Sequence, residues 1–250
     1  MTAGAPNFES AAELISDVEG WLTGAQARRL FDRVAQLGAG ARVVEIGSFR
    51  GKSTIVLATA ATGGVEIVAV DPHQGGDRGP REIEPDQTLG DADHEAFTAN
   101  LKRAGVADRV RHLRLTSVEA HPEVEGDVDL LYVDGAHRYQ PARFDIAQWG
   151  RRVSGGGTML IHDAFSSVGV TAALVTTTMF GAGWRYRGRS GSLVEYRREL
   201  LGPRERVVNT ARQLLALPWF LRNLMIKALL VAKLAPVTRL LGHTSSDWPY

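Results

Sequence analysis

Short apolar runs alternate along this chain with longer stretches in which apolar positions recur every three or four residues, a pattern that predicts a layered α/β fold. Arg42–Ile46, Val65–Val70, Val110–Leu115, Val128–Val133 and Thr158–Ile161 have the length and the Val/Ile content of buried strands. Between them, Ala25–Leu37 sets Ala25, Leu30, Val34 and Leu37 at helical spacing, with Arg28, Arg29, Asp32 and Arg33 on the other side. Ser53–Thr62, His94–Ala104, Gln140–Arg152 and Val168–Met179 read as further helices, and Trp184–Tyr186 with Ser192–Tyr196 as an antiparallel pair. Gly155-Gly156-Gly157 reads as a turn. His73–Asp93 is rich in Gly, Pro, Asp and Arg without periodicity, which predicts a long functional loop. The expected architecture is a doubly wound, mainly parallel sheet with an antiparallel closing strand pair.

The pattern changes after Leu201. Residues 201–250 hold seven Lys/Arg against two Asp/Glu in a background of Leu, Ala and Val. Arg222, Lys227 and Lys233 interrupt every uncharged run before it reaches bilayer-spanning length. At about 100° per residue, Arg212, Arg222, Asn223, Lys227 and Lys233 share an arc of roughly 140°, which leaves a broad apolar face. Residues 1–199 are therefore expected to form the main domain, and 200–250 a basic amphipathic helical extension bent at Pro218. Three roles are open for it: packing on its own domain, joining two copies as a homodimer, or resting through 201–240 on an anionic membrane.

Composition narrows the chemistry. At 250 residues, 44% hydrophobic and 23% charged, the chain matches a soluble globular protein, and its net charge of +1 gives no reason to expect a nucleic-acid partner. The absence of cysteine leaves only oxygen and imidazole ligands for a metal. Met1–Ser10 lacks the basic and apolar regions of a secretory signal, so the expected location is cytoplasmic, with membrane-peripheral contact through the extension as the variant.

Glu45-Ile46-Gly47-Ser48-Phe49-Arg50-Gly51 ends the first strand. A dinucleotide fingerprint needs a glycine where Phe49 stands, and a phosphate-binding loop needs one more residue before Lys52-Ser53. Twenty residues after Gly51, Asp71 ends the second strand, where an acid accepts hydrogen bonds from both hydroxyls of a ribose lying across the sheet edge. Glycines at 47 and 51 are expected to let the backbone approach the ligand. The alternative is that Glu45 and Asp71 only cap helix N-termini. This arrangement resembles motif I and the following acidic position of class I S-adenosylmethionine methyltransferases over residues 20 to 198, which implies a Rossmann-like sheet. By that resemblance Glu45, Gly47, Ser48 and Gly51 line the methionine and ribose side, and Ser53 faces the carboxylate. Ser117 contacts adenine, Asp134 borders the cofactor, and Gly20-Trp21-Leu22-Thr23 folds over it, Leu22 being the expected contact.

Asp134-Gly135-Ala136-His137 closes the fourth strand and His162-Asp163 the fifth, so Asp134, His137, His162 and Asp163 converge on the edge where open α/β sheets bind ligands. The segment Asp134-Gly-x-His137-x-Tyr139, with Asp145, Trp149 and the later His162-Asp163, is similar to bacterial methyltransferases near the macrocin and other sugar O-methyltransferases. It also resembles the divalent-metal site of catechol and caffeoyl-CoA O-methyltransferases, in which an Asp ends the fourth strand and an acid pair ends the fifth. The resemblance makes Asp134 and Asp163 metal ligands, with His162 at the first position of the pair as ligand or as orienting partner of Asp163. Carboxylates suit Mg²⁺, and an imidazole ligand moves the preference toward Mn²⁺, Fe²⁺ or Zn²⁺. His137 stands where the catechol enzymes carry a lysine base and is the candidate general base, with Asp134 beside it. Asp145 and Trp149 read as structural, while His73, Asp77, Asp86, Asp91, Asp93 and His94 are candidates for substrate contact. The expected activity is metal-assisted methylation of a hydroxyl on a sugar, glycoside, oligosaccharide or other small acceptor. The alternatives are a metal-independent methyltransferase, a hydroxylase-like enzyme, and a non-enzymatic membrane-peripheral scaffold.

Overall fold

The structure, a computed structural model, describes residues 7–76 and 84–244. Seven strands form one sheet in the order β3-β2-β1-β4-β5-β7-β6. They are β1 (Arg42–Ile46), β2 (Glu66–Val70), β3 (Val110–Leu113), β4 (Val128–Val133), β5 (Val153–Ile161), β6 (Trp184–Ser190) and β7 (Leu193–Arg198). β1 to β5 pair parallel, and β7 runs antiparallel to both β5 and β6. Chain order reverses at β1, which pairs with β2 on one side and β4 on the other, so a crevice opens beyond the C-terminal ends of these strands. The expected sheet and closing pair are both present.

One apolar cluster lies on each face of the sheet. Leu30, Val43, Ile55, Leu57, Ile67 and Leu130 belong to one, and Val44, Leu131, Ile146, Trp149, Met159 and Phe165 to the other. Successive residues of β1 and β4 thus serve opposite layers, as the two-residue period of a strand buried on both faces requires. The first layer holds α1 (Phe8–Leu14), α2 (Gly24–Val34) and α3 (Lys52–Ala60). Thr23 and Gln26 start α2 with a reciprocal capping box.

Three segments depart from the expected pattern. Helix α4 spans Gln87–Arg103, seven residues more toward the N-terminus than its periodicity indicates, because the Asp86 carboxylate accepts the Leu89 N–H and caps it. The Gly155–Gly157 stretch is not a turn between elements but an irregularity within β5, where pairing with β4 jumps from Val128↔Val153 to Leu130↔Thr158. The helix after β4 is α-helical over Tyr139–Phe144 (α6) and continues as a π-helical turn over Asp145–Trp149. Helices α5 (Ser117–Glu123) and α7 (Val168–Leu174) complete the layers.

The extension forms α8 (Pro203–Leu214) and α9 (Leu217–Val231), with a 3-10 segment at Ala235–Leu241. The break falls at Leu215-Ala216, and Pro218 sits in the first turn of α9, where its missing N–H costs nothing. The run Pro203–Val231 contains an 18-residue window of mean hydropathy 1.6, long and apolar enough to cross a membrane despite the interrupting charges. Only 17% of that window is buried.

Candidate active site

The turn after β1 is fixed from three directions. Gly47 (φ +86°) and Gly51 (φ +87°) both occupy the left-handed region. A Cβ on Gly47 would collide with the Asp134 carbonyl, and one on Gly51 would lie 2.6 Å from Leu101 Cδ1. Close approach of the protein's own chain therefore requires glycine at both positions, and Gly47 also lines the crevice. Asp71 holds the same turn from β2: its carboxylate accepts the N–H of Phe49 and that of His73, each at 2.8 Å. His73 Nε2 pairs with the Phe49 carbonyl at 2.8 Å, and its ring packs against those of His94 and His112.

Glu45 and Ser53 are not in the crevice wall. Glu45 is fully buried and accepts hydrogen bonds from the hydroxyls of Ser53 and Thr54 at the start of α3. Burial pushes its carboxyl up to about 8, against the lowering effect of those two hydroxyls. A carboxyl this closed off ties strand to helix through two hydroxyls rather than by capping α3, whose N-cap position is Gly51. Ser48 is also buried. Leu22 packs against the apolar cluster beneath α2, and its neighbour Trp21 takes the crevice position, its ring 5.4 Å from that of Phe49.

Asp134, His137, His162 and Asp163 do converge. His137 Nε2 lies 2.7 Å from Asp163 Oδ2, and His162 Nδ1 lies 3.1 Å from Asp134 Oδ1 and 3.3 Å from Asp163 Oδ2. One ligand atom each from Asp134, His162 and Asp163 lies within 4.8 Å of the others. All four residues line one crevice of about 890 Å³, together with Gly47, Asp71 and Ser117. Asp163 adopts φ +55°, as does Phe165 at +56°, so the turn after β5 is backbone-strained where it presents its acid.

The charges within the cluster depend on one another. Burial lowers the pKa of His162, but the charges of Asp134 and Asp163 and their hydrogen bonds outweigh it and hold the imidazole well above its usual value. For His137, burial is likewise overcome, here by the hydrogen bond and charge of Asp163 and the charge of Asp134, and the net shift is upward. Burial would raise Asp163, yet His162 and His137 drive it far below the carboxylate range. Two imidazoles thus meet two carboxylates at one point of the crevice. These carboxylate and imidazole donors fit a divalent cation of the Mn²⁺, Fe²⁺ or Zn²⁺ type at least as well as Mg²⁺.

Two residues of this site escaped the sequence reading. Tyr132 donates its hydroxyl to Asp134 Oδ2 at 2.7 Å; it stands two residues before Asp134 on β4, and that same-face spacing was the available signal. Asp145, read as structural, lines the crevice, is 2% exposed, and has an Oδ1 with no hydrogen-bond partner in the protein. Burial pushes its carboxyl up to about 7, opposed by the Ser117 hydroxyl. Trp149 at the other end of the π turn is buried and donates to the Ser117 carbonyl at 3.1 Å. Of the loop acids, Asp91 and Asp93 pair with Arg114 and Arg50, Asp86 caps α4, and Asp77 lies outside the described residues.

Residues 44–164, from β1 through the turn after β5, match a family model described as a methyltransferase domain. The matched span contains Asp71, Asp134, His137, His162 and Asp163. The uncharacterized protein y4gI of Sinorhizobium fredii is 32% identical over 127 residues, which are 49% of this chain and 13% of that protein. The chain thus spans about an eighth of the length of that relative. Among solved structures, cofactor-bound Rv0187 from MTB superposes with a TM-score of 0.55 at 21% identity, covering 76% of this chain and 87% of its own. The O-methyltransferase TomG from Streptomyces achromogenes, solved with SAM, gives 0.54 at 16% identity, with 81% and 92% covered. These likenesses show a shared Rossmann-like fold.

Proposed function

We propose that the chain transfers a methyl group from S-adenosylmethionine to a hydroxyl of a small acceptor, with a divalent metal assisting. The observation that carries this reading is the convergence of Asp134, His137, His162 and Asp163 on the crevice that Asp71 and Ser117 also line. Its volume falls within the range of about 300–1,000 Å³ usual for small-molecule sites. The cofactor's presence in TomG and the methyltransferase domain match support the choice of methyl donor.

S-adenosylmethionine would supply a sulfonium methyl, and a divalent ion held by Asp134, Asp163 and His162 would supply charge that acidifies a hydroxyl. Asp71 would accept from the ribose hydroxyls with the lone pairs left after its two backbone contacts. Asp145 Oδ1, buried and without a protein donor, would accept a hydrogen bond from the adenine side of the cofactor near Ser117. His137 takes the acceptor's proton as the oxygen–carbon bond forms and the sulfur–carbon bond breaks, and Asp163 holds its ring toward the cluster. Tyr132 orients Asp134. A sugar or glycoside hydroxyl is the first acceptor class, an aromatic hydroxyl the second.

Transfer of label from methyl-tritiated cofactor to panels of glycosides and phenols, with and without excess EDTA, tests this reading. Labelled product that disappears with EDTA and returns with Mn²⁺ or Mg²⁺ is expected. Full transfer in EDTA would remove the metal from the account. No cofactor binding by calorimetry would remove methyl transfer altogether and leave the scaffold alternative.

A further inference from the structure

The two helices that follow the sheet turn polar groups inward beside Ala216 and Ile226 and leave large apolar side chains outside. On α8 the side turned to the domain carries Asn209 and Gln213. Asn209 accepts the Tyr186 N–H at 2.7 Å and donates to the Trp184 carbonyl at 3.0 Å, while Gln213 accepts the Tyr196 hydroxyl at 2.7 Å. On α9, Asn223 is fully buried and donates to the Phe165 carbonyl at 3.3 Å, and Lys227 reaches the Ser166 carbonyl at 2.8 Å. The residues that face away include the apolar Val207, Val208 and Leu215, then Leu221, Met225 and Val231. A helix whose apolar stripe is used up against its own domain leaves no such row outside.

The exposure is concentrated here. Eleven of the seventeen large apolar side chains exposed among the described residues fall between positions 200 and 240. Arg204, Arg206, Arg212, Lys233 and Arg239 are exposed along the same segment. Between 201 and 244 there is one acid, Glu205, and it is paired with Arg185.

We infer that α8 and α9 dock the protein on an anionic membrane surface, lying in the headgroup layer with their apolar face toward the acyl chains. Charge decides the occupant. Two copies related by a twofold axis would bring the same patch together, setting five cations against five with only Glu205 on each side to offset them. Anionic headgroups supply the missing counter-charge, and the acyl boundary accepts the leucine and valine side chains. Spanning is excluded by the inner face: Asn209, Gln213 and Asn223 would lose their protein partners and enter hydrocarbon unsatisfied. This inference does not depend on the reaction proposed above.

The test is flotation of the full chain with vesicles of phosphatidylcholine alone or mixed equally with phosphatidylglycerol, at low and high salt. Binding to the anionic vesicles at least about tenfold stronger than to neutral ones, and released by high salt, is expected. Leu215→Glu with Met225→Glu should abolish binding without changing the circular-dichroism melting profile. Because these positions are exposed, the double variant folds if the assignment of faces is right. A second variant, Arg204→Gln with Arg212→Gln and Lys233→Gln, should weaken binding to anionic vesicles while leaving the neutral baseline unchanged. Absence of vesicle binding overturns the inference. So does a dimer in vesicle-free light scattering that Leu215→Glu with Met225→Glu converts to monomer, which would assign the face to a second copy. Retention in the bilayer after alkaline carbonate overturns it in favour of spanning.

Discussion

Two acid-bearing sites lie a few residues apart along the same sheet edge, and they use their carboxyl groups in opposite ways. At the end of β1, Glu45 is enclosed by Ser53 and Thr54 and is withdrawn from the crevice. At the ends of β4 and β5, Asp134 and Asp163 face His137 and His162 across the crevice floor. The first site satisfies a buried polar group internally and so contributes to the scaffold. The second gathers two carboxylates and two imidazoles that face one another in the crevice, a donor set that a cation can join. Burial alone therefore does not mark a functional acid; what it faces does.

The sharpest way to break this comparison is at His137. His137→Gln is expected to lower the turnover rate by about 10²–10⁴-fold with cofactor affinity unchanged, read by single-turnover label transfer and calorimetry. A loss confined to cofactor affinity would move His137 out of the catalytic role. On the scaffold side, the prediction concerns pH. Glu45 has a folded-state pKa raised from 4.5 to about 8, so the folded protein retains a proton that the unfolded chain releases. Stability from this group is complete below pH 4.5 and falls as pH rises toward 8. The full effect is on the order of 3–5 kcal/mol. Glu45→Gln should flatten that part of the urea-midpoint profile; an unchanged slope would mean that Glu45 is ionised and reaches a cation.

Smaller effects refine the boundary between the two sites. Gly47→Ala forces a left-handed alanine against the Asp134 carbonyl and should cost about 1–3 kcal/mol in denaturant melts. A neutral result would show that the β1 and β4 ends are less tightly apposed than the structure places them. Asp145→Ala should weaken cofactor binding by about tenfold, the worth of one hydrogen bond to a buried acceptor, with turnover at saturating cofactor preserved. Equal binding by variant and parent would return Asp145 to a structural role.

The strand ends and their chemistry were legible in the sequence because position along a parallel strand determines the sheet edge at which a residue emerges. Asp71, Asp134, His137, His162 and Asp163 were all placed in this way. A second demand on the glycine turn was not. The chain itself also crowds Gly47 and Gly51, and only tertiary packing reveals which neighbour a missing Cβ accommodates. Leu22 and Trp21 show a similar limit: adjacent residues in a non-helical segment point to different surroundings, and one enters the core while the other lines the crevice. In the extension the polar arc of Arg222, Asn223 and Lys227 was recognisable, but which face turns inward depends on what the helix meets. Here the inner surface presents the backbone carbonyls of Phe165, Ser166 and Leu241, and polar side chains bind them.

The central claim is that Asp134, His162 and Asp163 form a divalent-cation site beside the methyl-donor crevice. Titration of Mn²⁺ into the protein saturated with S-adenosylmethionine, followed by electron paramagnetic resonance, measures it without any acceptor. The account predicts one bound Mn²⁺ per chain, lost in Asp163→Asn, a change that keeps a residue tolerant of the left-handed backbone at this position. Absence of Mn²⁺ binding, or binding that Asp163→Asn leaves intact, would contradict it.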